Sequence, residues 1–316
     1  MLAVWLVLEV ALRLAPLLPD KSLVRYRQVP GDESQAPLPD QATHTLLGVG
    51  VATNSHGLRD PERSLRANPG QRRVVLLGDS VVWGFGLASE ETPSRRVEAH
   101  LAQADATQDW EVWTLGQPAT TQLNHAARFA RLSPEIEPDA VFVMVLFNDL
   151  LAGPTRFRVT ASGLLASPHR TAPYPDALRP LLDRSAVFHL TMMGYYAREK
   201  RNEPAGHDFQ RENAPDLLRG LQRTVQVARA GEIPMAVVVM PGRYEPPGAY
   251  VWLLDILGEW TAGEGVPLLD LADDLGAPLR DELSLPGDST HPNAVGADLM
   301  AARLAAETLT LLGPPE

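Results

Sequence analysis

Five mostly apolar runs alternate with helical patterns along the chain from residue 72 onward. Each run is short, as expected for a strand that is buried on both faces of a sheet. The runs occupy 74–77, 110–115, 140–146, 235–240 and 266–271. Apolar residues at helical spacing predict helices over 95–105, 122–132 and 293–312. Strands that alternate with helices favour an α/β fold, with a parallel sheet covered by helices on both faces.

Polar residues follow three of the predicted strands, where ligands bind in sheets of this kind. Ser80 comes shortly after the first strand, Gly116 ends the second, and Asn148 follows the third. Asp288 and His291 lie just before the last predicted helix. Together they offer a hydroxyl, a glycine N–H, an amide, a carboxylate and an imidazole. These groups are the components of serine-based acyl transfer.

The composition narrows the chemistry further. The 316 residues include no cysteine, which excludes disulfides, thiol nucleophiles and cysteine metal sites. A formal net charge of −11 argues against a nucleic-acid partner, because such a protein needs a basic surface to neutralise phosphates. Lysine occurs only at Lys21 and Lys200, so no phosphate-binding GxxxxGK motif is present. We expect no cofactor, no metal site and no nucleic-acid partner.

The N-terminal residues 2–18 are apolar apart from Glu9 and Arg13, which lie one helical turn apart and could pair. A spanning helix needs about 20 predominantly apolar residues, so this run is slightly short. Two interpretations remain open: a transmembrane anchor over 1–19 that gives membrane association through residues 2–18, and an amphipathic helix packed on the domain. A cleaved signal peptide is disfavoured because no A-x-A site follows the run.

The chain therefore divides into a hydrophobic helix over 1–19, a tether and extension over 20–71, and a main domain over 72–316. The stretch 151–215 carries several aromatic residues and is expected to add a hairpin and helices beside the site. An anchored protein would be membrane-associated. An extracytoplasmic and a cytoplasmic location both remain open.

Four sequence blocks of the main domain resemble the SGNH, or GDSL-type, hydrolase superfamily. In chain order they read Gly78-Asp79-Ser80, Gly116, Leu146-Phe147-Asn148-Asp149 and Asp288-Ser289-Thr290-His291-Pro292. Leu146 stands where the third block of the family carries glycine, and Thr114 stands where asparagine often precedes the second. The segment 54–60 and the N-terminal helix also resemble a membrane-anchored bacterial subgroup, some members of which are associated with O-acetylation of polysaccharides.

The resemblance implies a flavodoxin-like, three-layer α/β/α fold with a mainly parallel sheet over 72–316. It implies that Ser80 is the nucleophile, His291 the general base and Asp288 the residue that orients the imidazole. The N–H groups of Ser80 and Gly116 and the side chain of Asn148 would form the oxyanion hole. The partner implied is an acyl-ester substrate, either a small ester or an acylated polysaccharide.

Three functions remain open at this stage. The leading one is a serine esterase, lipase or acetylesterase. The second is an O-acetyltransferase or deacetylase that acts on cell-surface polysaccharide, which would share the acyl-enzyme. The third is a catalytically silent binding module with the same fold. Asp79 and Asp149 are expected to be structural, each bonding the backbone of its turn.

Overall fold

The computed structural model describes residues 2–14, 24–29, 35–44, 49–118, 120–150, 158–159, 165–166, 185, 187–188, 191, 207–242, 248–288 and 290–313. The chain forms two compact units. The larger unit comprises Leu58–Thr155 and His207–Glu316, and the smaller unit comprises Met1–Gly57 and Arg156–Gly206.

The strands and helices are numbered in chain order across both units. The strands are β1 Tyr26–Gln28, β2 Gln35–Pro37, β3 Ala42–His44, β4 Gly50–Ala52, β5 Gln71–Gly78, β6 Asp109–Gly116, β7 Ala140–Val145, β8 Arg158–Val159, β9 Leu165–Ala166, β10 Met235–Val239 and β11 Leu268–Asp270. The helices are α1 Leu2–Leu14, α2 Ser80–Trp83, α3 Pro93–Ala104, α4 Gln122–Ile136, α5 His207–Ala230, α6 Ala249–Glu264, α7 Ala272–Leu275 and α8 Ala294–Leu312.

The larger unit is built on a five-stranded sheet in the order β11-β10-β7-β5-β6. All of its neighbouring strands are parallel. The order reverses at β5, so the chain leaves β5 first toward β6 and then returns to β7 on the other side. In open sheets of this type the crevice at such a reversal is the usual ligand site. The register pairs Gly78 of β5 with Gly116 of β6, which brings these two strand ends level.

Alternate residues of the sheet face two separate apolar layers. One layer joins Val74, Leu76, Phe142 and Met144 of the sheet to residues of α3 and α8. The other joins Val75, Leu77, Val141 and Val143 to residues of α4, α5 and α6. Every residue of β7 is buried, which is why its sequence is apolar throughout. The predicted α/β fold, with helices on both faces of a parallel sheet, is confirmed.

Several element boundaries differ from the predicted ones. Strand β5 begins at Gln71 rather than at residue 74. The apolar pattern missed its first residues because they are polar, although Arg73 is buried within the strand. Helix α4 continues to Ile136, beyond the predicted end at residue 132 and through Pro134. Strand β11 has three residues instead of the six expected. Helix α6 was not predicted, and α5 begins inside the stretch 151–215, for which helices were expected without bounds.

The smaller unit contains helix α1 and three antiparallel strand pairs, β1–β2, β3–β4 and β8–β9. The Glu9 carboxylate of α1 accepts hydrogen bonds from the Ser185 hydroxyl at 2.9 Å and from the Val187 N–H at 3.1 Å. Most of the region 151–215 lies outside the described residues.

The sequence raised the prospect of a transmembrane helix over 1–19, and the structure does not support it. Helix α1 has 13 residues. Within the described ranges, no helix combines the length and the apolar character that crossing a bilayer requires.

Candidate active site

The turn after β5 presents Ser80 at the carboxyl end of the sheet. Asp79 caps helix α2, since its Oδ1 accepts a hydrogen bond from the Val81 N–H at 3.0 Å. Ser80 is the first residue of this four-residue helix, and Gly84 ends it in a left-handed conformation with a φ of 76°. The side chain of Ser80 therefore stands at a strand-to-helix turn at the carboxyl end of the sheet, with 9% of the residue's surface exposed.

His291 joins Ser80 to Asp288. The imidazole Nε2 lies 2.8 Å from Ser80 Oγ, and Nδ1 lies 2.7 Å from Asp288 Oδ2. Ser80 Oγ also has Asp79 Oδ2 at 3.4 Å, a longer and weaker contact. The structure thus brings together the serine, histidine and aspartate that the sequence singled out, in one hydrogen-bonded chain.

The loop before α8 holds Asp288 and His291 in place. Asp288 Oδ1 accepts hydrogen bonds from the N–H groups of Thr290 at 2.8 Å and of His291 at 3.0 Å. Burial opposes ionisation of Asp288, but these bonds and the contact with the imidazole outweigh it and hold the pKa of the carboxyl below its ordinary value. An anionic Asp288 favours the tautomer in which Nδ1 carries the proton and Nε2 accepts.

Two further predicted residues lie at or just after the ends of the neighbouring strands. Gly116 ends β6 level with Gly78, and its N–H makes a long contact of 3.4 Å with Thr114 Oγ1. Asn148 lies in the 3₁₀ turn Phe147–Asp149 that follows β7, the neighbour of β5 on the other side. The side chain of Asn148 lies outside the described part of the structure, so its role as an oxyanion donor stays a prediction.

Asp79 and Asp149 are both fully buried beneath this site. Asp149 Oδ2 accepts hydrogen bonds from the Leu146 N–H at 2.8 Å and from Gln122 Nε2 at 3.0 Å. Burial, followed by the charge of Asp79, raises the pKa of Asp149 well above its ordinary value. Both carboxyl groups bond the backbone of the turns that carry the site residues.

A buried polar layer on α4 supports the loop that follows Gly116. The sequence did not predict this layer. Arg128 donates to the Leu115 carbonyl at 2.7 Å and to Gln117 Oε1 at 2.8 Å. His125 Nε2 lies 3.0 Å from Thr120 Oγ1, which donates to the Gln117 carbonyl at 2.7 Å. Burial and the nearby Arg128 charge keep the pKa of His125 well below its ordinary value. A polar helix face normally indicates solvent, so the sequence carried no signal that this one is buried.

Gly116 leaves no space for a side chain, which gives a test of how the site is packed. A Cβ atom at Gly116 would lie 2.3 Å from the Trp83 nitrogen and 2.6 Å from the Val82 carbonyl carbon. Gly116→Ala must therefore push α2 and Ser80 away from β6. We expect a loss of about 1–3 kcal/mol in the free energy of unfolding, together with a fall in ester turnover.

Gly263 in α6 provides the control, because a Cβ atom there meets nothing within 4 Å. Gly263→Ala is expected to leave turnover unchanged and to stabilise the helix slightly. Urea unfolding and initial rates measure both effects. Normal stability and turnover in Gly116→Ala would contradict the packing described here.

Comparison with known proteins identifies the family of this chain. Residues 76–299 match the sequence profile described as the GDSL-like Lipase/Acylhydrolase family. No curated protein matches the chain.

Solved structures with similar folds include two bacterial enzymes. The psychrotrophic esterase EstA from Pseudoalteromonas sp. is 14% identical; the alignment covers 77% of this chain and 99% of that one, with a TM-score of 0.48. The lipase/acylhydrolase from Enterococcus faecalis is 17% identical over 78% of this chain and 100% of its own, with a TM-score of 0.45.

The profile match spans well over half of the chain and contains all four sequence blocks of the site. It begins within β5 and ends within α8, so it covers the end of β5 and the other four strands of the sheet. The protein therefore belongs to the GDSL-like lipase/acylhydrolase family and is an ester hydrolase of the SGNH type.

Proposed function

We propose that the protein hydrolyses carboxylic esters through an acyl-enzyme on Ser80. His291 Nε2 takes the hydroxyl proton as Ser80 Oγ forms a bond to the carbonyl carbon of the ester. The tetrahedral intermediate collapses, the bond to the alcohol oxygen breaks, and the imidazolium gives its proton to the departing alcohol. A water molecule then attacks the acyl-enzyme, again losing a proton to His291, and the acid leaves as Ser80 regains its hydrogen.

The observation that carries this proposal is the continuous contact from Ser80 Oγ through both imidazole nitrogens to Asp288. The two distances, 2.8 Å and 2.7 Å, lie within the range of good hydrogen bonds to nitrogen. The lowered pKa of Asp288 supports its proposed role, because an anionic carboxylate stabilises the imidazolium that forms during each proton transfer.

Negative charge develops on the carbonyl oxygen during both attacks, and we propose three donors for it. Two are the N–H groups of Ser80 and Gly116, whose positions at adjacent strand ends support a shared role. The third is the side-chain amide of Asn148, at the end of the strand on the other side of β5. Removal of one such donor typically lowers kcat by about 10²- to 10³-fold.

The acyl acceptor distinguishes hydrolysis from transfer, since water and a sugar hydroxyl would attack the same acyl-enzyme. We propose water as the acceptor, in line with the family to which the chain belongs. An acylated polysaccharide remains one of the ester substrates to be tested, next to small esters.

The test measures turnover on 4-nitrophenyl acetate, butyrate and octanoate and on an acetylated polysaccharide, with and without an added oligosaccharide acceptor. We expect one equivalent of free acid for each equivalent of alcohol released, with no acylated oligosaccharide. Quantitative appearance of the acyl group on the oligosaccharide would contradict hydrolysis and identify a transferase. An absence of turnover on every ester would contradict the proposed activity.

A further inference from the structure

Arg59 lies upstream of the residues that match the family and is buried in the larger unit, with 3% of its surface exposed. Its guanidinium donates to the Trp83 carbonyl at 3.1 Å, to the Gly84 carbonyl, and to the Leu87 carbonyl at 2.5 Å. Burial lowers the pKa of Arg59 to about 10, so the group stays charged at neutral pH. A charged donor of this kind forms stronger hydrogen bonds than a neutral one.

These three carbonyls belong to residues 83–87, which comprise the last residue of the Ser80 helix and the loop after it and are here called the loop 83–87. The loop turns tightly, with left-handed φ values of 76° at Gly84 and 77° at Gly86. Its backbone contributes one bond across the turn, from the Leu87 N–H to the Gly84 carbonyl at 3.1 Å. Arg59 therefore ties the beginning of the loop to its end and satisfies carbonyl groups that would be costly to bury without donors.

The loop carries Phe85 against His291. The Phe85 N–H donates to the Ser80 carbonyl at 3.0 Å. This bond fixes the backbone of Phe85 relative to Ser80. The Phe85 ring centroid lies 4.6 Å from the His291 ring centroid, with the planes tilted by 37°. Hydrogen bonds at Nδ1 and Nε2 lie near the plane of the imidazole ring. They therefore restrain rotation of the ring out of that plane only weakly. Contact with the Phe85 ring supplies that restraint.

We propose that Arg59 is a positioning residue for His291 and acts through the loop 83–87 and Phe85. This inference rests on the proposed role of His291 as the general base. Loss of Arg59 would release the loop, Phe85 would leave the imidazole, and Nε2 would spend less time aligned with Ser80 Oγ. Small misalignments of a reacting group slow the chemical step much more than they weaken substrate binding.

Arg59→Met tests the proposal, and Arg73→Met is its matched control. Arg73 is also buried and also donates to three carbonyls, those of Ser64, Leu65 and Ile136. It lies over the Trp113 ring as Arg59 lies over the Trp83 ring, and in addition it pairs with Glu111 at 3.0 Å. None of these groups belongs to the loop 83–87. Both variants are assayed on a soluble aryl ester at a temperature at which thermal unfolding shows them folded.

We expect Arg59→Met to lower kcat by about tenfold while KM stays within about twofold of the wild-type value. Arg73→Met should lose stability but keep the wild-type kcat when folded. A wild-type kcat in folded Arg59→Met would overturn the proposal. An equal loss of kcat in both variants would also overturn it, because the effect would then be general destabilisation.

A double-mutant cycle with Phe85→Leu tests whether Arg59 acts through Phe85. We expect the double variant to be no slower than the slower single variant, because each change removes the same restraint. Rate losses that multiply would overturn the route through Phe85. If Arg59→Met does not fold, Arg59→Lys takes its place in the cycle with the same expectations.

The same assays separate this inference from the proposed function. If Ser80→Ala turns over the ester at the wild-type rate, the proposed mechanism is overturned, irrespective of the result for Arg59→Met. Ser80-dependent turnover together with an unchanged kcat in folded Arg59→Met would overturn the positioning role alone.

Discussion

Replacement of Ser80 by alanine is expected to lower ester turnover by about 10⁴- to 10⁶-fold, the range seen when a serine nucleophile is removed. The variant retains the proposed oxyanion donors but has no hydroxyl to form the acyl-enzyme, so catalysis would fall to what substrate binding and charge stabilisation provide. The fold should survive, because the Ser80 hydroxyl contacts only His291 and Asp79 among the described residues. A single hydrogen bond of this kind contributes about 1 kcal/mol to stability.

Ser94→Ala is the matched control. Ser94 is a fully buried serine, and its hydroxyl has no hydrogen-bond partner in the described part of the chain. It lies in α3, and its hydroxyl is not bonded to Ser80, Asp288 or His291. Initial rates should fall in Ser80→Ala alone. Turnover in folded Ser80→Ala within about tenfold of wild type would contradict the acyl-enzyme mechanism.

Replacement of His291 by glutamine has the second large expected effect. Glutamine lacks a group that can accept a proton at neutral pH, so Ser80 would remain a neutral hydroxyl and kcat should fall by about 10⁴- to 10⁶-fold. His100→Gln serves as the control, because His100 bonds Asp298 near the surface at 3.1 Å and has no contact with Ser80. The control should keep wild-type turnover, and loss of turnover in both variants would contradict a specific role for His291.

The pH dependence of wild-type turnover follows from the same role. A proton on Nε2 removes the acceptor for the Ser80 hydroxyl, so kcat/KM should fall when the pH is lowered from about 8 to about 5. Asp288 does not produce this fall, because its pKa is lowered and it stays ionised throughout that range. A profile that is flat over this range would contradict the assignment of the base.

The sheet and the edge that carries the candidate site were predictable from the sequence because their signals are local. Strand β7 is buried on both faces, so its residues are uniformly apolar and could be read as a central strand. The expectation that Ser80, Gly116 and Asn148 meet followed from the rule that polar groups at the strand ends of a parallel sheet lie at one edge. His291 precedes a helix, and its role was implied by the resemblance of its sequence block to the family. The predicted boundary of the main domain at residue 72 stays a prediction, although Arg59 packs in the same compact unit as the sheet.

The rest depended on contacts that sequence patterns do not encode. Helix α4 passes through Pro134, which a local reading takes as a helix end. Arg59, Arg73 and Arg128 are buried by bonds to backbone carbonyls, whereas arginine in a sequence normally indicates the surface. Which carbonyls lie within reach of an arginine is fixed by packing between distant segments, and a single sequence does not reveal it.

The most direct test of the central claim is the site of modification by a fluorophosphonate, which reacts with an activated serine. After incubation with wild-type protein, intact-mass and peptide mass spectrometry should show one adduct, located on Ser80, with loss of activity in proportion to labelling. Ser80→Ala and His291→Gln should remain unlabelled under the same conditions, and Ser94→Ala should label like wild type. Adduct formation on another residue with Ser80 unmodified, or full labelling of His291→Gln, would contradict the account.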